Sequence, residues 1–125
     1  MKSLDERIKN LPASLLQLTE VEEEWLDAYR EALDKKHPGT VREMLIYGSK
    51  ARGQTHAESD LDVLLIVKNE AGGLKRDLRR IGYLLAATAE AFPSILAYTQ
   101  DEWERRKRSG STFRQAVERD AVRVL

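Results

Sequence analysis

Two apolar runs, Met44–Tyr47 and Leu61–Val67, flank a Gly48-Ser49 turn and a polar stretch. The second run opens on two acids, Asp60 and Asp62. Strand side chains two apart share a face, so this spacing sets the carboxylates side by side, about 7 Å apart at the Cα atoms. Acids that close repel unless a cation lies between them. Hard oxygen ligands suit Mg²⁺, which keeps water and accepts substrate phosphates. Upstream, Gly48 lets the backbone turn sharply or approach a ligand. Ser49 then starts a short helix whose free N–H groups face an anion. The stretch predicts a metal-plus-phosphate site at the ends of two strands.

At 125 residues the chain is expected to form one domain with its own core. Lysine plus arginine equal aspartate plus glutamate at 21 each, so bulk charge gives no case for binding nucleic acid. With no cysteine there is neither a disulfide nor a thiolate metal site. His37 and His56 are too few and too far apart for zinc. Residues 1–6 lack an apolar signal core, and no apolar run reaches membrane-spanning length. These features lead us to expect a cytoplasmic protein with no membrane partner.

Residues 1–18 read as an N-terminal arm, and 19–125 as the domain. In the arm, Leu4, Ile8 and Leu11 have helical spacing until Pro12 interrupts. Thr19 with Glu22 forms a capping-box pattern. A helical apolar stripe follows through Val21, Trp25, Tyr29 and Leu33, ending at His37-Pro38-Gly39. Val41–Tyr47 is the first strand, its apolar second half suggesting burial on both faces. Leu61–Val67 is the second, expected to pair antiparallel with the first across the polar connection 54–59. A turn at 69–73 leads to a helix from about Leu74 to Phe92, whose exposed face carries Lys75, Arg76, Arg79 and Arg80 and which Pro93 stops. Ser94–Tyr98 is a short third strand. Thr99 caps a helix running to about Arg108, broken at Ser109-Gly110. A last helix spans about Thr112–Asp120, and Val122–Leu125 adds an edge strand.

Gly48-Ser49, ten intervening residues and Asp60-x-Asp62 resemble the signature of the nucleotidyltransferase superfamily that includes DNA polymerase β. Gly-Ser-x-Ala-Arg-Gly at 48–53 and Ser-Asp-Leu-Asp at 59–62 also resemble that family. The resemblance covers roughly residues 41–125 and is strongest over 44–67. The chain is similar to the minimal nucleotidyltransferases found beside HEPN-domain proteins in bacteria. The resemblance implies an α/β fold, with a small mixed sheet of three to four strands packed with helices, as in the polymerase β palm. It also implies Mg²⁺ and a nucleoside triphosphate, ATP above all. Asp60 and Asp62 would be the catalytic metal ligands, and Gly48, Ser49, Arg52 and Ser59 would contact the nucleotide.

The family usually has a third carboxylate on a later strand. Counting back from Tyr98-Thr99-Gln100-Asp101-Glu102-Trp103, that position falls near Ser94, and 93–98 contain no acid. Glu58 is a candidate substitute. Glu90 and Asp101 lie in flanking helices on this reading and point elsewhere. Bland readings stand beside the functional ones. Lys50 and Arg52 also fit surface charges, and Arg52 an ion pair with the acids. His56 fits a solvated loop, Arg105–Arg108 a solvated helix face rather than an RNA patch, and Trp25 and Tyr29 the core.

Two functions from different classes follow. One is Mg²⁺-dependent transfer of a nucleoside monophosphate, AMP from ATP, to a hydroxyl acceptor, which by resemblance is a tyrosine of a partner HEPN toxin. The other is a catalytically weakened antitoxin module that acts by contact. A small-molecule modifier is a third, provided a homo-oligomer completes the acceptor pocket.

Overall fold

The computed structural model describes residues 18–52 and 60–125, with the backbone alone at Arg52. Thr19 closes the first helix, α1 (Glu20–Lys36), with a reciprocal capping box. The Thr19 hydroxyl accepts from the Glu22 N–H at 3.1 Å, and Glu22 accepts from the Thr19 N–H at 2.9 Å. The chain then runs through β1 (Val41–Tyr47), the one-turn α2 (Ser49–Arg52) and β2 (Leu61–Val67). A 3₁₀ turn at Asn69–Leu74 leads into α3 (Lys75–Ala86), followed by β3 (Pro93–Thr99). The chain ends with α4 (Gln100–Arg108), α5 (Thr112–Asp120) and the short β4 (Val122–Arg123).

The four strands form one sheet in the order β3-β2-β1-β4. β1 pairs antiparallel with β2 and with β4, while β3 runs parallel to β2. The sheet is therefore mixed, and helices cover both faces. Alternation along β2 divides its side chains between two cores. Leu61, Val63, Leu65 and Val67 pack with Trp25, Tyr29 and Leu78 of α1 and α3. Leu64 and Ile66 pack with Trp103 and Val117 of α4 and α5. The α1–α3 contact is pinned by two hydrogen bonds to backbone carbonyls. Trp25 Nε1 donates to the Gly82 carbonyl at 2.9 Å, and the Tyr29 hydroxyl donates to Leu78 at 2.7 Å. β1 behaves as its apolar second half implied. Met44 and Ile46 are buried on one face, and Leu45 and Tyr47 pack against the second core on the other.

The expected helix to Phe92 is corrected at its C-terminus: α3 stops at Ala86. Leu61 N–H donates to the Phe92 carbonyl at 3.1 Å, and Pro93 stands in register with Leu61, so the strand must begin by residue 93. The helix must end early to leave chain for that reversal. Phe92, though on the apolar stripe, is left 72% exposed. Glu90 makes the bend with φ 56°, the one left-handed non-glycine among the described residues.

Candidate active site

β1 delivers the chain to Gly48, which takes φ +75°. A side chain here would be strained by the backbone alone. It would also collide with Asp62: a Cβ on Gly48 would strike Oδ2 and lie 3.3 Å from Cγ. The glycine turn is thus pressed against the Asp62 carboxylate.

The strand registers place Asp62 between Tyr47 of β1 and Ser94 of β3. Side chains paired across neighbouring strands share a face, so hydroxyl-bearing residues flank the acid on both sides. Tyr47 feels it. Burial first, then the Asp62 charge, pushes its phenol up to about 12. Sequence reasoning passed over Tyr47; the expected antiparallel pairing of β1 with β2 was the signal that could have found it. The serine counted as the site of the missing third acid does stand directly beside Asp62.

Asp60 lies one residue before β2 and is exposed. It lines a cavity of about 490 Å³ with Tyr83, Ala87, Glu90, Phe92 and Pro93. The Glu90 expectation is therefore also revised: it sits outside the helix, in the bend, facing the same cavity as Asp60. Another cavity, about 450 Å³, lies at the far end of β2 around Ile66, Glu43 and Glu104. Its acids are held by arginines, Arg123 to Glu43 at 3.5 Å and Arg114 to Glu104 at 3.8 Å, so that end offers no open acid pair.

Lys50 departs from the surface reading. It is 1% exposed and pairs with Glu22 at 3.1 Å. The one-turn α2 turns this ammonium inward against the first turn of α1, where Glu22 serves the helix cap and the lysine together. Ser49, half-buried, opens α2. The side chain of Arg52, and Ser59, His56 and Glu58 entirely, lie outside the described residues.

Asp62 beside the Ser94 hydroxyl, with Asp60 two residues earlier in the chain, would suit one hard divalent ion that shares its coordination with water and substrate phosphate. No group of three or more His, Cys, Asp or Glu that could hold a metal is assembled among the described residues.

A family model described as a nucleotidyltransferase domain matches residues 26–110. The chain belongs to this family. Membership supports nucleotidyl transfer as the general reaction, with a nucleoside triphosphate and a divalent metal as the family's usual requirements. No curated protein matches the chain. A 1.40 Å crystal structure of a Sulfolobus solfataricus protein, itself only provisionally assigned as a nucleotidyltransferase, is 18% identical. That match covers 86% of this chain and 87% of the other with a TM-score of 0.48, and adds nothing to the family assignment. No helix among the described residues is long and apolar enough to cross a membrane.

Proposed function

We propose that this nucleotidyltransferase transfers AMP from ATP to a hydroxyl acceptor in the cytoplasm, with Mg²⁺. The observation that carries the reading is the seating of the Gly48 turn on the Asp62 carboxylate in a chain of this family. Asp60 and Asp62 hold the ion. Gly48 and Ser49, with Arg52 and Ser59, receive the triphosphate. A divalent ion bound there would neutralise phosphate oxygens and help the leaving group depart. The chain's own work is orientation. Asp62 is fixed between two strands and beneath a glycine turn, so the nucleotide meets a pre-set carboxylate instead of ordering one. By resemblance, the acceptor is a tyrosine of a HEPN-domain toxin, with this chain as antitoxin.

Ser94 beside Asp62 favours a second reading, a module that neutralises its partner by contact alone. Calorimetric titration with ATP, with and without Mg²⁺, tests the binding half. We expect Mg²⁺-dependent affinity in the wild type that Asp60→Asn and Asp62→Asn abolish. Intact-mass measurement of a HEPN partner after incubation with Mg·ATP tests transfer. Unchanged mass together with inhibition that survives both Asp→Asn substitutions would leave the contact reading standing.

A further inference from the structure

The acid missing from β3 has a candidate replacement one bend upstream. The α3–β3 connection reverses within residues 87–92, and the reversal sets Glu90 on the wall of the roughly 490 Å³ cavity that Asp60 also lines. The other acids near β3 are engaged or distant. Glu102 is held by the Thr99 N–H at 2.8 Å and by Lys75 at 2.9 Å. Asp101 stands at the far end of β3, at the start of α4. Among the described residues no hydrogen bond or ion pair engages Glu90.

Apart from Asp60 and Tyr83, the other described residues of the wall are small or apolar. Ala87, Phe92 and Pro93 lie beside Tyr83, so a guest entering over Asp60 meets flat hydrocarbon and, among the described residues, one further carboxylate, that of Glu90. Glu90 also holds a left-handed backbone, φ 56°, that glycine would take without strain. The residue is thus positioned at a conformational cost in the bend that opens onto the candidate catalytic acid.

We infer that this cavity is the acceptor subsite and that Glu90 is the base that takes the proton from the acceptor hydroxyl. In the step, the acceptor oxygen forms a bond to the α-phosphorus while the bond from that phosphorus to the bridging oxygen of pyrophosphate breaks. The hydroxyl proton passes to the Glu90 carboxylate, and pyrophosphate leaves with the bonding electron pair. The acceptor is an alcohol or phenol whose body lies along the Ala87, Phe92 and Pro93 wall. The inference rests on the nucleotidyl-transfer reading above.

The test uses the full chain with Mg·ATP and water as the hydroxyl donor, measuring pyrophosphate release, and calorimetry for ATP affinity. Glu90→Gln is expected to cut the rate by about 100-fold or more, with ATP affinity changed less than about twofold, and Glu90→Asp to recover part of it. The ¹³C carboxyl signal of Glu90 should also move when a non-hydrolysable ATP analogue binds with Mg²⁺. If water reacts too slowly to follow, that signal alone decides. A Gln variant as fast as wild type, or an unmoved signal in a protein that binds the analogue, overturns the role of Glu90 and leaves the nucleotide site intact. A wild type that binds no Mg·ATP sinks the site reading and this inference with it.

Discussion

Gly48→Ala tests the contact on which the site is built. Three glycines among the described residues are left-handed: Gly39 at φ +72°, Gly48 at +75° and Gly110 at +73°. A Cβ at Gly39 would meet nothing within 4 Å, so Gly39→Ala reports the backbone term alone. That term is about 1 kcal/mol. At Gly48 the added methyl must also push the Asp62 carboxylate out of its rotamer, about 1–1.5 kcal/mol more. Gly48→Ala should therefore cost about 2–2.5 kcal/mol, about 8–10 °C in Tm for a domain this size, against about 4 °C for Gly39→Ala. Asp62→Ala removes Oδ2 and Cγ and leaves only Cβ, 3.6 Å from the new methyl, an ordinary contact. In that background Gly48→Ala should fall to the Gly39→Ala cost, a coupling of about 1–1.5 kcal/mol. Thermal and urea unfolding of the two single mutants and the double mutant measure it. Equal costs at Gly48 and Gly39, or a Gly48→Ala cost unmoved by Asp62→Ala, would refute the reasoning.

Lys50→Met strands the Glu22 carboxylate in the interior and should cost about 3–5 kcal/mol, with most of it regained in Lys50→Met/Glu22→Gln; urea midpoints decide. Gly82→Ala, which in an open helix would stabilise by about 1 kcal/mol, should destabilise. Its methyl would lie 2.6 Å from Ile95 Cδ1 and 2.8 Å from Tyr29 Cζ, and the Tyr29 hydroxyl is tied to Leu78. A higher melting temperature would show that this interface yields. Tyr47 titrates higher folded, about 12, than its ordinary 10.0. Its contribution is therefore full below pH 10 and lost as pH climbs from 10 towards 12. NMR titration should find the phenol lowered by Asp62→Asn, the second cause of its shift after burial.

The parts of this protein that depend on neighbours within a few residues were legible before any coordinates. The Thr19–Glu22 capping box, the N-cap at Thr99, the strand at Leu61–Val67 and the sharp turn at Gly48 each follow from local hydrogen bonding, apolar content or sterics, and each is present in the fold. The motif at 48–62 announced the family for the same reason: turn and acids lie on one short stretch of chain. What faces that stretch was decided elsewhere. Ser94 comes beside Asp62 only through the parallel pairing of β3 with β2, a register summed over a whole ladder between distant segments. Lys50 is buried because α1, far upstream, presents Glu22 to it. The helical stripe ran on to Phe92, but strand pairing claimed residue 93, so α3 gave way and Glu90 turned into the cavity of Asp60. Local propensity is a fraction of a kcal/mol per residue, and the hydrogen bonds and burial of a paired strand outweigh it.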